Sequence, residues 1–428
     1  MSRVKLENVL IPACVRGVFA TDTQATTFDV WLENGLVAEI QPTQLTGQSV
    51  PSGTLLPGLV DAHVHIDKTF VADETGAPDG DLFKAIALMA EHRKRWSGDD
   101  IRARMERALS QAYACGTRAM RTHLDWDGSG APVALAVFEQ LRNEWRGRIA
   151  LQCVSLTALD MLDVAAPAQA LELSCGEHIA RQVAHVNQGC DASRGEAALL
   201  GAFVYRNTDL REKLGRLFAL AARYQLGLDF HVDEGLDADA CGLRTIAELT
   251  IQHHYQGKVT CGHACSLAIQ PLDEALQTLQ LCAQAGIHLV SLPSTNLYLQ
   301  GAWGTTPVER GITRLNEARR LGVSASIATD NVADGFYPYG SYDLLDSFGL
   351  GVQVAHLSPP DVWLQTITTN PARAMQLPWD GSISVGCPAD LVLLAARSQF
   401  ELLTPAGRKR QVIRHGAVLE INRGLTTS

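Results

Sequence analysis

The feature that most constrains the fold of this chain is a regular alternation between short apolar runs and longer helical stretches, from residue 58 to residue 376. The eight apolar runs read GLVDAHVH, TRAMRTHLD, IALQCVSL, LLGAFVY, LGLDFHVD, KVTCGHA, IHLVSLP and SASIATD. Such alternation is typical of repeated βα units around a parallel sheet, and eight units close a barrel. We therefore predict an α/β fold in which residues 58–376 form a catalytic (β/α)₈ TIM-like barrel.

The sequence pattern at the two ends of the chain differs from that of residues 58–376. It contains short predicted strands and turn signals and has no helical period. The N-terminal end contains an Asn34-Gly35 pair, which is a signal for a tight β-hairpin. The C-terminal end repeats this pattern in ADLVLLAA and KRQVIRHGAVLEI. We predict that residues 1–57 and 377–428 together form one small β-sandwich domain beside the barrel, an arrangement that suits a chain of 428 residues.

Polar residues collect where the predicted strands end, and that end of a (β/α)₈ barrel carries the chemistry. The residues concerned are His63, His65, His123, Asp125, His231, Glu234, His263 and Asp330. His63 and His65 share one face of their strand, because successive side chains alternate between faces. Three histidines and one carboxylate can hold a divalent ion and leave a position for water. The predicted metal ligands are His63, His65, His231 and Asp330.

Three residues near this ion are candidates for proton transfer. Glu234 follows His231 by three positions in HVDE, and Asp330 can both bind the ion and accept a proton. His263 ends its strand and could hold a hydroxide or polarise a substrate. A divalent ion can lower the pKa of water from about 15.7 to near 7. Glu234, His263 and Asp330 are therefore the predicted catalytic residues, and zinc or iron the expected ion, because imidazole suits both.

A series of motifs along nearly the whole chain resembles the amidohydrolase superfamily, and within it the cytosine deaminase subgroup. The motifs are PGLVDAHVHIDK, MRTHLDWD, DFHVDE, VTCGHA, NLYLQG with RGITR, and ATDNVADGFYPYG. The resemblance implies that His263 positions the hydroxide and that Glu234 shuttles protons. Dinuclear relatives carry a lysine after the fourth strand, whereas this chain has GAFVYRNT there. The resemblance therefore implies a single ion.

The departures from the subgroup concern the substrate. Ala158 stands where cytosine deaminases have a glutamine that reads the pyrimidine edge, and Asn331 replaces a second aspartate. An amide both donates and accepts hydrogen bonds, so Asn331 changes the pattern offered to a ring. Phe336 matches an aromatic residue of the family's mobile loop, while Gln300 and Trp303 follow the seventh strand. We predict that Asn331, Phe336, Ala158, Gln300 and Trp303 bind the substrate, with core packing an equal alternative for Trp303.

These residues predict a metal-dependent hydrolase acting on C–N bonds other than peptide bonds. The leading interpretation is a hydrolytic deaminase that releases ammonia from a cytosine-like pyrimidine or a related ring such as a pterin. The alternative is hydrolysis of a ring amide or N-alkyl amine, as on an aminotriazine, because hydroxide can attack either carbon. A non-catalytic ligand-binding barrel is a third interpretation, which the presence of Glu234 and His263 disfavours, since a binding protein needs no proton shuttle.

The bulk composition narrows the class of partner. With 36 basic and 46 acidic residues, the net charge of −10 gives no basic footprint for nucleic acid or anionic lipid. The ten cysteines form no CxxC pair, which fits reduced thiols in the cytoplasm. The N-terminus lacks a continuous apolar segment, and no window approaches the roughly 18 apolar residues of a membrane span. We expect a cytoplasmic homo-oligomer with a small heterocyclic substrate.

Overall fold

The computed structural model describes residues 3–18, 25–44, 50–76, 81–128, 130–162 and 174–420. The strands are β1 Val4–Leu10, β2 Thr27–Glu33, β3 Leu36–Pro42, β4 Gly53–Pro57, β5 Leu59–Val64, β6 Thr117–Asp125, β7 Ala150–Ala158, β8 Ala197–Val204, β9 Leu228–Val232, β10 Val259–His263, β11 His288–Ser291, β12 Ser324–Ile327, β13 Leu391–Leu394, β14 Arg410–Arg414 and β15 Ala417–Val418. Residues 421–428 of the predicted terminal domain lie outside the described residues.

Helices connect the strands throughout the central part of the chain. The α-helices are α1 Ala72–Thr75, α2 Leu82–Arg93, α3 Gly98–Cys115, α4 Val133–Glu144, α5 Leu159–Leu162, α6 Cys175–Gln188, α7 Leu210–Tyr224, α8 Gly242–Gln252, α9 Leu272–Ala285, α10 Pro293–Leu299, α11 Leu315–Arg320, α12 Leu344–Val354, α13 Pro360–Trp363 and α14 Thr369–Ala374. Short 3₁₀ helices span Ala13–Val15, Ala192–Arg194, Cys265–Ala268 and Leu364–Ile367. Among the described residues, no helix is both long and apolar enough to cross a membrane.

Strands β5 to β12 form one parallel sheet in which each strand pairs with the next along the chain. The first and last of these strands meet where Val64 forms a parallel bridge with Asp330. Asp61 strengthens this closure, because its carboxylate accepts a hydrogen bond from the backbone N–H of Thr329 at 3.1 Å. The eight predicted apolar runs supply the eight barrel strands. The predicted (β/α)₈ barrel is confirmed.

The terminal segments form a separate sheet with the strand order β15-β14-β13-β4-β1-β2-β3. The C-terminal strand β13 pairs antiparallel with the N-terminal strand β4, so both ends of the chain contribute to one unit, as predicted. Between β2 and β3, Asn34 and Gly35 both have positive φ angles, of 52° and 78°. This conformation suits a tight hairpin turn. Gly58 alone separates β4 from β5, where the chain passes into the barrel.

Helix α2 has a different position from the helices that cover the outside of the barrel. It begins after Asp81, whose carboxylate accepts hydrogen bonds from the backbone N–H groups of Phe83 and Lys84. Such a cap satisfies N–H groups that the first turn of a helix leaves unpaired. Leu82 and Met89 of this helix face a cavity at the C-terminal end of the barrel strands. The helix therefore covers the end of the barrel at which the polar residues collect.

Candidate active site

The four predicted metal ligands converge at the C-terminal end of the barrel. The Nε2 atom of His231 lies 3.1 Å from Nε2 of His63 and 3.3 Å from Nε2 of His65. The Oδ1 atom of Asp330 lies 3.6 Å from Nε2 of His63 and 3.3 Å from Nε2 of His65. All four residues are buried. Residues from the first, fifth and eighth barrel strands thus present four donor atoms to one point.

The chemistry of these donors fits a divalent transition metal ion. Burial lowers the pKa of His63, His65 and His231 well below the usual value, and neighbouring charged groups lower it further. Each imidazole is therefore neutral at pH 7 and has a lone pair available for an ion. Donor atoms bound about 2.0–2.2 Å from one ion lie roughly 3–3.5 Å apart, close to the spacings found here. Three imidazoles with one carboxylate suit zinc and iron alike.

The backbone is unusual where two of these strands end. Asp330 has a φ angle of 65° and His263 one of 68°. Positive φ is uncommon for residues other than glycine, and such conformations concentrate at functional sites. The backbone N–H of Asp330 donates to the carbonyl oxygen of His63 at 2.9 Å. The hydroxyl of Thr313 donates to the carbonyl oxygen of His263. These bonds fix the backbone of Asp330 and of His263 at the ends of their strands.

Glu234 and His263 lie together beside the ligand cluster. The Oε1 atom of Glu234 is 3.3 Å from Nδ1 of His263. Burial raises the pKa of Glu234 well above its usual value, and the charge of Asp330 raises it further. Burial lowers the pKa of His263 to about 4. A buried carboxyl group with a raised pKa is a better proton carrier than an ordinary carboxylate, which suits the role predicted for Glu234.

His123 packs behind His63 and braces it from the barrel interior. The two ring centroids are 3.9 Å apart. The Nε2 atom of His123 lies 3.3 Å from Oδ1 of Asp229, whose other oxygen accepts a hydrogen bond from Arg121 at 2.8 Å. All of these groups are buried. These contacts place His123 behind the predicted ligand His63 and give it a supporting position, which the ion pair of Arg121 with Asp229 extends.

A cavity of about 230 Å³ opens beside the ligand cluster, and we refer to it as the slot. Its polar end contains His65, His231, Glu234 and His263. Its apolar walls contain Leu82, Ile86, Met89, Leu156, Met161, Phe203 and Phe336. Of the predicted substrate-binding residues, Ala158, Asn331 and Phe336 line the slot. Apolar walls with a few convergent polar groups are typical of small-molecule sites.

Gln300 and Trp303, the other two predicted substrate-binding residues, do not line the slot. They lie in a second cleft, of about 850 Å³, which meets the slot at Leu82 and Glu234. The side-chain amide of Gln300 donates to the backbone carbonyl of Glu234 at 3.3 Å. Trp303 is 50% exposed and its ring lies edge-on to that of Tyr298. The structure therefore places Gln300 behind Glu234 and Trp303 on the outer rim.

Two cations in the slot, Lys68 and Arg93, have no counterpart among the predicted site residues. The Lys68 ammonium lies 2.9 Å from Oδ1 of Asp125, and Arg93 lies 3.0 Å from the other oxygen of that carboxylate. Burial lowers the pKa of Lys68, but Asp125, Asp67 and Asp334 raise it by more, so the group remains charged. The sequence places Lys68 only three residues after His65, and that proximity was the available signal. Nothing in the sequence relates Arg93 to the same carboxylate.

The fold and the site together define a (β/α)₈ barrel with a buried cluster of histidines and an aspartate that could hold a metal ion, an arrangement typical of enzymes that activate water. The chain belongs to the amidohydrolase family, whose family model matches residues 127–419. The predicted membership of the amidohydrolase superfamily is confirmed.

Three proteins similar to this chain have names that specify a reaction on a nitrogen heterocycle. A pterin deaminase from Rhizobium rhizogenes is 35% identical over 430 residues, which cover 98% of this chain and 94% of that protein. An N-isopropylammelide isopropyl amidohydrolase from Pseudomonas sp. is 23% identical and covers 89% of this chain and 90% of its own length. A crystal structure of 5-methylcytosine deaminase from Klebsiella pneumoniae, liganded with phosphonocytosine, matches with a TM-score of 0.78 and 26% identity, covering 97% of this chain and 98% of that one.

Proposed function

We propose that this chain is a hydrolytic deaminase of an aminated nitrogen heterocycle and that its substrate is a pterin-type bicyclic ring. The observation that carries the proposal is the position of Glu234, which faces the slot beside the four converging ligands. A carboxyl group there can move protons between water and a ring nitrogen, which deamination requires. The similarity of nearly the whole chain to a pterin deaminase supports the choice of ring.

The walls of the slot support a ring larger than cytosine. Ala158 removes the side-chain bulk that a glutamine would place at the end of β7, and it leaves that part of the slot open. Leu82 and Met89 of α2 and Phe336 offer apolar surface for a flat ring system. An aromatic ring such as Phe336 can stack on a heterocycle. Room and flat apolar surface together favour two fused rings.

The chain's own residues account for the proton transfers of this reaction. His63, His65, His231 and Asp330 would hold a divalent cation, which would lower the pKa of water from about 15.7 to near 7 and so supply hydroxide at neutral pH. Glu234 accepts the proton that the attacking water loses and delivers it to a ring nitrogen beside the amine-bearing carbon. His263 hydrogen-bonds the added oxygen. Glu234 then carries the remaining proton of the added hydroxyl to the amine, the C–N bond breaks to release ammonia, and the oxygen of the water becomes a ring carbonyl.

A second candidate is hydrolysis of an N-alkyl amine on a triazine-type ring. The similarity to N-isopropylammelide isopropyl amidohydrolase favours it, because that chain aligns with almost all of this one. The same Glu234 and His263 would serve, with an alkylamine as the leaving group. The two activities differ in the molecule released.

The test is an assay of the purified, metal-loaded protein with pterin, cytosine, 5-methylcytosine and N-isopropylammelide, in which ammonia and isopropylamine are both quantified. Samples loaded with zinc and with iron are compared, with bound metal measured in each. Ammonia from pterin, at a higher kcat/KM than from either pyrimidine, is the expected result. Isopropylamine from N-isopropylammelide without ammonia from the other rings would replace the proposal with the second candidate.

A further inference from the structure

We propose that Lys68 and Asn331 form a donor and acceptor pair that selects rings with a lactam edge, an N–H next to a C=O, beside the amine-bearing carbon. This inference rests on the proposed deamination and names the substrate class more closely. In pterin, the lactam N–H adjoins the carbon that loses its amine, and the carbonyl follows it. In 2,4-diaminopteridine the hydrogen-bonding pattern of this edge is reversed: the ring nitrogen next to the amine-bearing carbon is an acceptor, and the amine that follows it is a donor.

Lys68 is the donor of the pair. Its side chain is only 3% exposed, yet it lines the slot next to the ligand His65. The ammonium has three N–H donors and no acceptor. One of these reaches Asp125 at 2.9 Å, and the nitrogen lies 4.8 Å from the ring centroid of Phe336. Because Lys68 lines the slot and its ammonium carries donors only, a group bound beside it has to accept a hydrogen bond.

Asn331 is the acceptor. Its Nδ2 donates to Oδ2 of Asp334 at 2.6 Å. The other oxygen of Asp334 accepts from the backbone N–H groups of Phe336 and Tyr337. Because this carboxylate takes only donors, the amide of Asn331 is fixed with its NH₂ group toward Asp334. Among the described residues, the bond to Asp334 is the hydrogen bond that the Asn331 side chain makes, so its Oδ1 remains available to a group in the slot, which Asn331 lines.

Lys68 and Asn331 belong to one wall of the slot. The Lys68 ammonium lies over Phe336, and Phe336 follows the Asp334 that orients Asn331. Lys68 also lines the slot together with Glu234 and His263, which places the ammonium near the reaction centre. A ring with its amine at Glu234 therefore presents the adjoining edge to this wall. The carbonyl oxygen of a lactam edge can accept from Lys68, and its N–H can donate to Asn331. The reversed edge sets its amine donor against Lys68 and its ring nitrogen acceptor against the Asn331 oxygen.

Two mismatched polar contacts in a buried slot are expected to lower kcat/KM for the ring with the reversed edge. Leaving one buried polar group unpaired weakens binding by about tenfold or more, and sites built around a hydrogen bond discriminate more strongly still. We therefore expect kcat/KM for pterin to exceed that for 2,4-diaminopteridine by about 100-fold. An amidic side chain in place of Lys68 can accept as well as donate and would tolerate the diamino ring.

The experiment measures ammonia release from pterin and from 2,4-diaminopteridine by wild type, Lys68→Gln, Lys68→Arg and Arg93→Gln, each metal-loaded. Lys68→Gln is expected to reduce the pterin preference by about tenfold or more, and Lys68→Arg, which keeps a donor-only group, to retain it. Arg93→Gln is the matched control, because it removes the other cation from Asp125. It is expected to change both rates by the same factor. Metal content and near-UV circular dichroism establish that each variant is folded.

The outcomes separate this inference from the proposed function. If the wild type deaminates both rings equally well, or if folded Lys68→Gln keeps the wild-type ratio, the lactam inference is wrong while deamination stands. An equal loss of preference in Arg93→Gln would also contradict it, because the ion pair rather than the donor would then be responsible. No ammonia from any aminated ring, with metal bound, would overturn the proposed function itself. The wild-type ratio needs no variant and tests the inference even if Lys68→Gln does not fold.

Discussion

The backbone N–H of Asp330 donates to the carbonyl oxygen of His63 at 2.9 Å, which joins the last barrel strand to the first at the metal site. The two residues that share this bond also present ligand atoms 3.6 Å apart. The contact that closes the barrel therefore also sets the distance between two of the predicted metal ligands. A change that disturbs the geometry of these strand ends should affect metal binding before it affects the rest of the fold.

Replacement of Glu234 with glutamine should abolish most turnover while leaving the metal in place. Glu234 contacts His263 at 3.3 Å and supplies no ligand atom to the cluster, so its loss removes only the proton carrier. Proton transfer by a positioned side chain contributes about 10²- to 10⁴-fold to a rate. We expect kcat to fall by that factor, measured as ammonia release, with unchanged metal content by elemental analysis. Full activity in this variant would mean that another group carries the proton.

Replacement of Gly262 with alanine should weaken metal binding without changing any ligand. A Cβ atom at Gly262 would lie 2.9 Å from Cε1 of His63, too close for ordinary packing, so the imidazole would have to shift. Movement of one ligand should lower metal affinity by about tenfold or more. Competition with a chelator measures this affinity. Gly215→Ala is the control, because no atom lies within 4 Å of that Cβ position. Equal metal affinity in both variants would contradict the placement of His63.

Replacement of Ala158 with glutamine should shift the preference of the enzyme from pterin toward cytosine. Ala158 lines the slot, and the added amide would both narrow it and offer hydrogen bonds to a pyrimidine edge. The expected result is a lower kcat/KM for pterin and a higher one for cytosine, so their ratio falls. If cytosine turnover does not improve, the ring binds in an orientation different from that of the cytosine deaminases.

His288 should contribute to loss of stability in acid. Burial lowers its pKa to about 3, and Arg121 adds to this shift. In the unfolded chain the pKa is near 6.5. Between these values only the unfolded chain binds the proton, so the contribution is complete above about pH 6.5 and is lost as the pH falls toward 3. Each pH unit in this window costs about 1.4 kcal/mol, or about 2 kcal/mol at pH 5.

The variant His288→Gln isolates this contribution. A glutamine amide can keep hydrogen bonds to the hydroxyls of Ser324 and Ser326, which His288 contacts at 2.9 and 2.7 Å, but it does not titrate. Urea unfolding of wild type and variant at pH 7.5 and pH 5 measures the difference. The wild type should lose about 2 kcal/mol more than the variant between the two pH values. An identical loss in both would show that His288 binds a proton as readily in the folded protein as in the unfolded chain, so that burial does not lower its pKa.

The sequence was sufficient to predict the barrel and the convergence of the ligands, because both follow from periodicity along single strands. His63 and His65 alternate on one strand, and parallel strand ends must meet at one end of a barrel. The outer wall of the slot could not be predicted in this way. Leu82 and Met89 have the spacing of any amphipathic helix, and periodicity does not reveal which surface that helix covers.

The polar contacts of the slot were also beyond sequence reasoning. Lys68 and Arg93 share Asp125 only because three separate segments meet there. Trp303 and Gln300 were expected at the substrate from their place after the seventh strand, but the chain turns outward and leaves them in the second cleft. Strand order predicts which loop lies near the site, whereas the path of the loop depends on tertiary packing.

The measurement that tests the central claim most directly is the stoichiometry of ammonia and deaminated ring formed from pterin by the metal-loaded protein, with chelator-stripped protein alongside. The account predicts one ammonia for each ring converted, no turnover in the stripped sample, and recovery when metal is restored. Conversion that is equally fast without metal would contradict the account. The absence of any ammonia, with metal demonstrably bound, would do the same.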